Sequence, residues 1–211
     1  MSSQLNRQTQ LSVTRQLAAQ DPDLAAVVAA YGPPPLWGRQ PGFSTLIHII
    51  LEQQVSLASA KAAYDRLRAA TGRLVPERFL ALRDEKLKAI GFSRQKTAYG
   101  RALADAILDG RLDLALIATL DDAAAKARLT AIKGIGSWTA DIYLLMCLRR
   151  PDTWPTGDLA LAVAVQRIKR LRKRPTPERL EKFGEAWSPW RAVAARILWH
   201  YYLSCPRQPA R

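Results

Sequence analysis

Two stretches carry residue types whose spacing could do chemistry: Leu129-Thr-Ala-Ile-Lys-Gly-Ile-Gly-Ser-Trp-Thr-Ala-Asp141 and Trp154-Pro-Thr-Gly-Asp158. In the first, glycines at 134 and 136 can take positive φ and bring bare N–H groups to an outer surface. A helix starting near Ser137 would add the positive end of its dipole. Donors of this kind bind a phosphate, and so grip a nucleic-acid backbone without reading bases. Lys133 and Thr139 can add contacts to the same phosphate. The second stretch puts one carboxylate, Asp158, at the mouth of the next helix, where the ionised form is favoured. An ordinary helix cap would also suit Thr-Gly-Asp-Leu.

The elements that must hold these residues read as helices. Phe43, Leu46, Ile47, Ile50 and Leu51 follow the i, i+3, i+4, i+7, i+8 rule for one helical face. Ser93 can cap a helix running to about Leu108, with Gly110 where a C-terminal glycine belongs. Asp121 or Asp122 can open the helix that ends before the hairpin. Thr176-Pro177 and Ser188-Pro189 both look like a cap followed by a first-turn proline, which predicts two more helices. No stretch alternates convincingly with a period of two, so the expected class is all-α. Breaks at Gly32-Pro-Pro-Pro35 to Pro41-Gly42 and at Arg150-Pro-Asp-Thr-Trp-Pro155 set off a central block, about 42–149, from residues 1–41 and 150–211. The expectation is a two-lobed helical bundle. The outer segments form one lobe, and the central block, with a helix-hairpin-helix at about 121–149, forms the other. A cleft between lobes is a natural place for a site. Leu87-Lys-Ala-Ile-Gly-Phe92 echoes the hairpin but lacks its second glycine, and reads as a packing turn.

Composition narrows the partner. Thirty-two Lys and Arg against eighteen Asp and Glu give a net charge of +14, which favours a polyanion. The run Lys169-Arg-Leu-Arg-Lys-Arg174 reads as a solvated helix face that could also meet a backbone. No run approaches the roughly 20 apolar residues of a spanning helix, and residues 1–20 have no signal-peptide core. The expected location is therefore the cytoplasm, nucleoid-associated in a bacterium, or otherwise intracellular, with no membrane partner. Two cysteines, Cys147 and Cys205, cannot hold an iron–sulfur cluster, and His48 and His200 suggest no metal centre.

The chain resembles the helix-hairpin-helix DNA glycosylase superfamily, in its 3-methyladenine DNA glycosylase II (alkylbase) branch. The resemblance extends from about Pro41 to Leu203. It rests on Ile50-Leu-Glu-Gln-Gln-Val-Ser56, the Gly134-Ile-Gly-Ser-Trp-Thr-Ala140 hairpin, Asp158, and Trp187-Ser-Pro-Trp-Arg191 with Trp199. It implies a monofunctional glycosylase that acts on double-stranded DNA as a monomer. Such an enzyme flips an alkylated base into an aromatic pocket and hydrolyses its N-glycosidic bond, leaving an abasic site. Asp158 would be the catalytic carboxylate, stabilising positive charge on the deoxyribose or orienting water. Trp138 and Trp199 align with the base pocket, where aromatic walls favour a cationic base. Gln54 aligns with the wedge that fills the gap left by the flipped nucleotide; the alternative is that Gln53-Gln54 ends a helix and hydrogen-bonds a loop. Lys133, Gly134, Gly136, Ser137 and Thr139 would bind the DNA backbone. The carbonyls of Thr130, Ile132 and Ile135 match a Na+ or K+ site in such hairpins, and no other cofactor is implied.

Three departures are informative. Bifunctional members carry a Schiff-base lysine where this chain has Trp138, which implies base removal without strand nicking. The family's further aromatics, after its acid and one turn after the hairpin tryptophan, are here Leu159 and Ile142. With about 40 residues ahead of Pro41, an N-terminal β-rich domain found in some relatives is not expected. A non-catalytic protein that uses the hairpin only as a DNA grip, and a basic scaffold in an RNA–protein particle, share the charge. Neither explains Asp158 together with Trp138.

Overall fold

The computed structural model describes residues 4–205, and among these every regular element is a helix. In chain order they are α1 (Arg7–Gln20), α2 (Pro22–Tyr31), α3 (Phe43–Glu52), α4 (Leu57–Thr71), α5 (Pro76–Leu80), α6 (Asp84–Ile90), α7 (Arg94–Leu108), α8 (Leu114–Thr119), α9 (Asp122–Thr130), α10 (Ser137–Met146), α11 (Leu159–Ile168), α12 (Pro177–Glu185) and α13 (Arg191–Ser204). The all-α expectation is met. The helices divide into two compact units, one built from residues up to Gly38 together with those from Arg149, the other from Arg39–Leu148.

The Arg39–Leu148 unit is organised around α3, which packs against α4, α7 and α10. The apolar face read from the sequence is buried, and so are Thr45 and Ile49, because neighbours surround this helix on more than one side. Completely burying side chains such as Leu46, Ile47, Ile49 and Ile50 contributes roughly 1.5–3 kcal/mol each. Helix α7 reaches α3 and α5 through Gly100, where a Cβ would sit 2.5 Å from the Phe79 ring. The local signals for α7 and α9 hold: Ser93 Oγ accepts the Lys96 N–H at 3.2 Å, and Asp121 accepts the Ala124 N–H at 2.8 Å. The turn between α6 and α7 closes with Gly91 at φ +116° and a buried Phe92, a packing turn as expected.

The second unit is built on α13, buried at every residue from Ala192 to Trp199 and packed on α1, α2, α11 and α12. Arg196 lies fully inside, donating to the carbonyls of Ala192 (3.0 Å) and Trp37 (3.3 Å). Burial pushes its pKa down to about 10, so it stays charged at neutral pH. Asp21 caps α2 by accepting from Asp23 N at 2.9 Å, and also receives Lys169 Nζ (2.9 Å) and Trp187 Nε1 (3.0 Å). Burial alone would raise the Asp21 pKa, but the hydrogen bonds from Lys169 and Trp187 and the Lys169 charge outweigh it and lower the value.

One boundary differs from expectation. Thr176 caps α12 with Pro177 in its first turn, but α13 starts at Arg191 with Trp190 as its cap residue, and Ser188 does not cap it. Asp152 does that work from 39 residues away, accepting the Arg191 N–H at 3.2 Å, while the Ser188 hydroxyl donates to the same carboxylate at 3.0 Å. Among the described residues no helix is long and apolar enough to cross a membrane, and no group of three or more His, Cys, Asp or Glu could hold a metal. Cys147 is buried, which pushes its thiol up to about 12.

Candidate functional site

The hairpin between α9 and α10 is closed by its own backbone: Ile132 N–H donates to Leu129 O (3.1 Å) and Ile135 N–H to Ile132 O (3.0 Å). Gly134 is required twice over. Its φ is +94°, and a Cβ there would lie 2.2 Å from Tyr99 of α7. Gly136 differs from the sequence expectation: its φ is −84°, and a Cβ would meet nothing within 4 Å. What glycine provides at 136 is the lack of a side chain, so α10 begins with no side-chain cap over its N–H groups. Lys133, Gly136 and Ser137 are exposed around this start.

Two predicted contacts turn inward. The Ser137 hydroxyl donates to Asp141 (3.3 Å), a buried carboxylate that Lys126 neutralises at 2.7 Å. Thr139 is 1% exposed as a residue and its hydroxyl accepts from Gln53 at 3.0 Å. Thr139, main chain included, is therefore withheld from solvent. Trp138 is half-buried in that turn, whereas Ile142, one turn on, lies in the core.

The glutamine pair at the end of α3 splits its roles. Gln53 Nε2 donates to Gly134 O (2.9 Å) and to Thr139 Oγ1, the loop-bonding alternative named above. Gln54 is exposed in a left-handed conformation, φ +57°, next to the exposed Val55 and Leu57. Lys96 of α7 holds the preceding turn by donating to Leu51 O at 2.7 Å.

Asp158 sits in the other unit, at the end of a loop fastened along its length. Pro151 O accepts Ala192 N–H (3.0 Å), and Asp152 forms a two-pronged ion pair with Arg191 (2.9 Å). Trp154 is buried against Trp187 and donates to Leu180 O (3.1 Å), in a slot that Gly184 keeps open. Asp158 itself is the cap of α11. Its Oδ1 accepts Leu161 N–H at 2.9 Å and the indole N–H of Trp199 at 3.1 Å. Two donors on one oxygen fix the plane of the carboxylate. Trp199 is 7% exposed, and its indole N–H is bonded to Asp158. Leu159, next in sequence, is exposed.

The structure thus brings Asp158 and Trp199 together in one unit, and Lys133, Gly134, Gly136, Ser137, Trp138, Thr139 and Gln54 in the other, with Gln53 joining the hairpin to the turn that presents Gln54. The basic run is not a helix face. Lys169 ends α11 and is paired with Asp21 and Asp23 (2.9 and 2.8 Å), and the exposed Arg170, Arg172, Lys173 and Arg174 belong to the loop that follows. Sequence reading did not assign the Trp199–Asp158 bond or the Asp152–Arg191 clamp; an acid and a base 39 residues apart give no local sign of pairing.

An all-helical fold with a glycine hairpin and a helix-capping aspartate points to a class, and the comparison with known proteins agrees. The chain belongs to the HhH-GPD superfamily of base excision DNA repair proteins, whose family model matches residues 47–189. It is 30% identical over 185 residues to DNA-3-methyladenine glycosylase 1 of Schizosaccharomyces pombe, covering 83% of this chain and 79% of that protein. It is 26% identical to a DNA-3-methyladenine glycosylase of Bacillus subtilis, covering 74% of this chain and 56% of that one. A Schizosaccharomyces pombe 3-methyladenine DNA glycosylase solved in complex with abasic DNA superposes with a TM-score of 0.83 at 28% identity, over 89% of this chain and 95% of that one.

Proposed function

We infer that this protein is a DNA-3-methyladenine-type glycosylase: it hydrolyses the N-glycosidic bond of alkylated bases in double-stranded DNA and leaves an abasic site for base excision repair. Family membership and the similarity to 3-methyladenine glycosylases support the activity. The observation that carries the mechanism is the Asp158 carboxylate held on one oxygen by Leu161 N–H and Trp199 N–H. The bond from C1′ to the base breaks with its electron pair leaving on the base, which is neutralised because an N3- or N7-alkylated purine starts cationic. No general acid is needed. Positive charge builds on the sugar, Asp158 stabilises it, and water adds to C1′ and gives its proton to the carboxylate or to solvent. The bare start of α10 and Lys133 bind a backbone phosphate, Gln54 fills the gap left by the flipped nucleotide, and Trp138 lines the base pocket. With tryptophan at 138 there is no Schiff-base lysine at this hairpin position, so cleavage stops at the abasic site.

The hairpin carbonyls of Thr130, Ile132 and Ile135 suit a Na+ or K+ ion. They are neutral oxygen donors of one turn, and Ile132 O keeps a second lone pair beyond its bond to Ile135 N–H. An intracellular place beside DNA goes with this reading.

The specific observation favouring a second reading is that Asp158 also acts as a plain cap, which a non-catalytic DNA grip would use equally well. The test is release of methylated bases from alkylated duplex DNA by the native chain and by Asp158→Asn. Release by the native chain alone, with strands breaking only after alkali, supports the glycosylase. Tight binding with no release from either protein leaves the grip, and strand breaks without alkali would refute the reading of Trp138.

A further inference from the structure

Gln53 belongs to neither the phosphate grip nor the wedge, yet it is bonded to one and adjacent in sequence to the other. Its single amide nitrogen places one proton on Gly134 O at 2.9 Å and the other on Thr139 Oγ1 at 3.0 Å. The first bond fixes the peptide plane at the tip of the hairpin. The second fixes the first turn of α10, which begins with no side-chain cap. Gln54 follows directly, in a left-handed conformation at φ +57° that non-glycine residues adopt only when their surroundings hold them there. That conformation persists because the chain on its N-terminal side is tied down, at Leu51 O by Lys96 and at Gln53 by the hairpin.

We propose that Gln53 is a positioning residue that makes the phosphate grip and the wedge one rigid piece, so that seating a DNA backbone on the α9–α10 hairpin sets Gln54 at the height of the base stack. The proposal rests on the reading of Gln54 as the wedge. It predicts that breaking the Gln53 bonds impairs base extrusion while leaving most backbone affinity in place. A simple brace of the hairpin would have the opposite signature.

The experiment uses the full chain with Gln53→Met, which keeps length and removes both donors, and Thr139→Val, which removes one acceptor and leaves Gln53 untouched. Single-turnover excision is measured from a duplex carrying one N7-methylguanine, either paired with cytosine or opposite an abasic site where extrusion is easier. Fluorescence of a 2-aminopurine beside the lesion reports unstacking, and binding to undamaged duplex reports the grip. The expected result for Gln53→Met is excision about tenfold slower on the paired duplex, with the loss largely recovered opposite the abasic site. The fluorescence rise shrinks, and affinity for undamaged duplex stays within about threefold. Thr139→Val shows the same pattern more weakly, and decides the matter if Gln53→Met does not fold. Equal slowing on both substrates, loss confined to duplex affinity, or native behaviour would each overturn the proposal. If the native chain releases no base, the proposed function falls, while the fluorescence comparison still decides Gln53.

Discussion

Helices α10 and α11 are each ten residues long and each begins at a candidate site, yet they present opposite charge. Gly136 opens α10 with no side chain over the N–H groups, so the helix shows the positive end of its dipole to solvent. Asp158 opens α11 and fills the equivalent position with its own carboxylate, which Trp199 then orients. The same backbone device is left open in one case and filled by a carboxylate in the other, and a single side chain at the cap makes the difference. Asp21 is a useful third member. It caps α2, accepts an indole N–H from Trp187 as Asp158 does from Trp199, and is then neutralised by Lys169. Of the two capping carboxylates held by an indole, Asp158 is the one assigned to catalysis and Asp21 serves the fold.

The largest effect should come from Asp158→Asn. Asparagine caps as well as aspartate, so the unfolding free energy should move by less than about 1 kcal/mol, whereas base release should fall by about 100-fold or more. Equal losses of both, seen by thermal melts beside single-turnover excision, would make Asp158 only a cap. Gly136→Asp would turn α10 into a second α11. The site has room for the side chain, so stability should hold within a few tenths of a kcal/mol, while affinity for duplex DNA drops by about tenfold and its salt dependence flattens. Unchanged binding in a salt titration would remove the hairpin from the backbone contact. Trp199→Phe deletes the indole donor and leaves Leu161 N–H in place. Base release should slow by about tenfold, with duplex affinity unchanged in the same titration.

The smallest effect belongs to Asp21. Its folded pKa is lowered, so its contribution is fully present above the ordinary carboxylate value and is lost as pH falls through the folded one. Asp21→Asn should cost about 1 kcal/mol at neutral pH, flatten the acid limb of a melting-temperature profile below about pH 4, and leave base release as it was.

Signals acting over a few residues were legible in the sequence. Ser93, Asp121 and Thr176 cap their helices as read, because a cap and its N–H lie three residues apart. Ser188 has the same pattern and fails, because Asp152 outcompetes it for the start of α13. Gly134 was read for its backbone freedom, but the close approach of Tyr99 is a tertiary fact. Lys169 looked like one member of a solvated run until Asp21 and Asp23, far off in sequence, took its charge. Only the resemblance separated Gln54 from Gln53; the residues alone did not, because the left-handed turn at Gln54 decides which side chain faces the hairpin.

The fastening of the Asp158 loop also has a consequence for how the protein is made. Helices α3–α10 are contiguous in sequence and can close their core while the ribosome is still adding residues beyond Leu148. Asp158 has no indole to orient it until Trp199, 41 residues later, has emerged. The clamp on its loop likewise waits for Arg191. In a nascent chain, any hold that the α9–α10 hairpin has on DNA would therefore precede the orientation of Asp158.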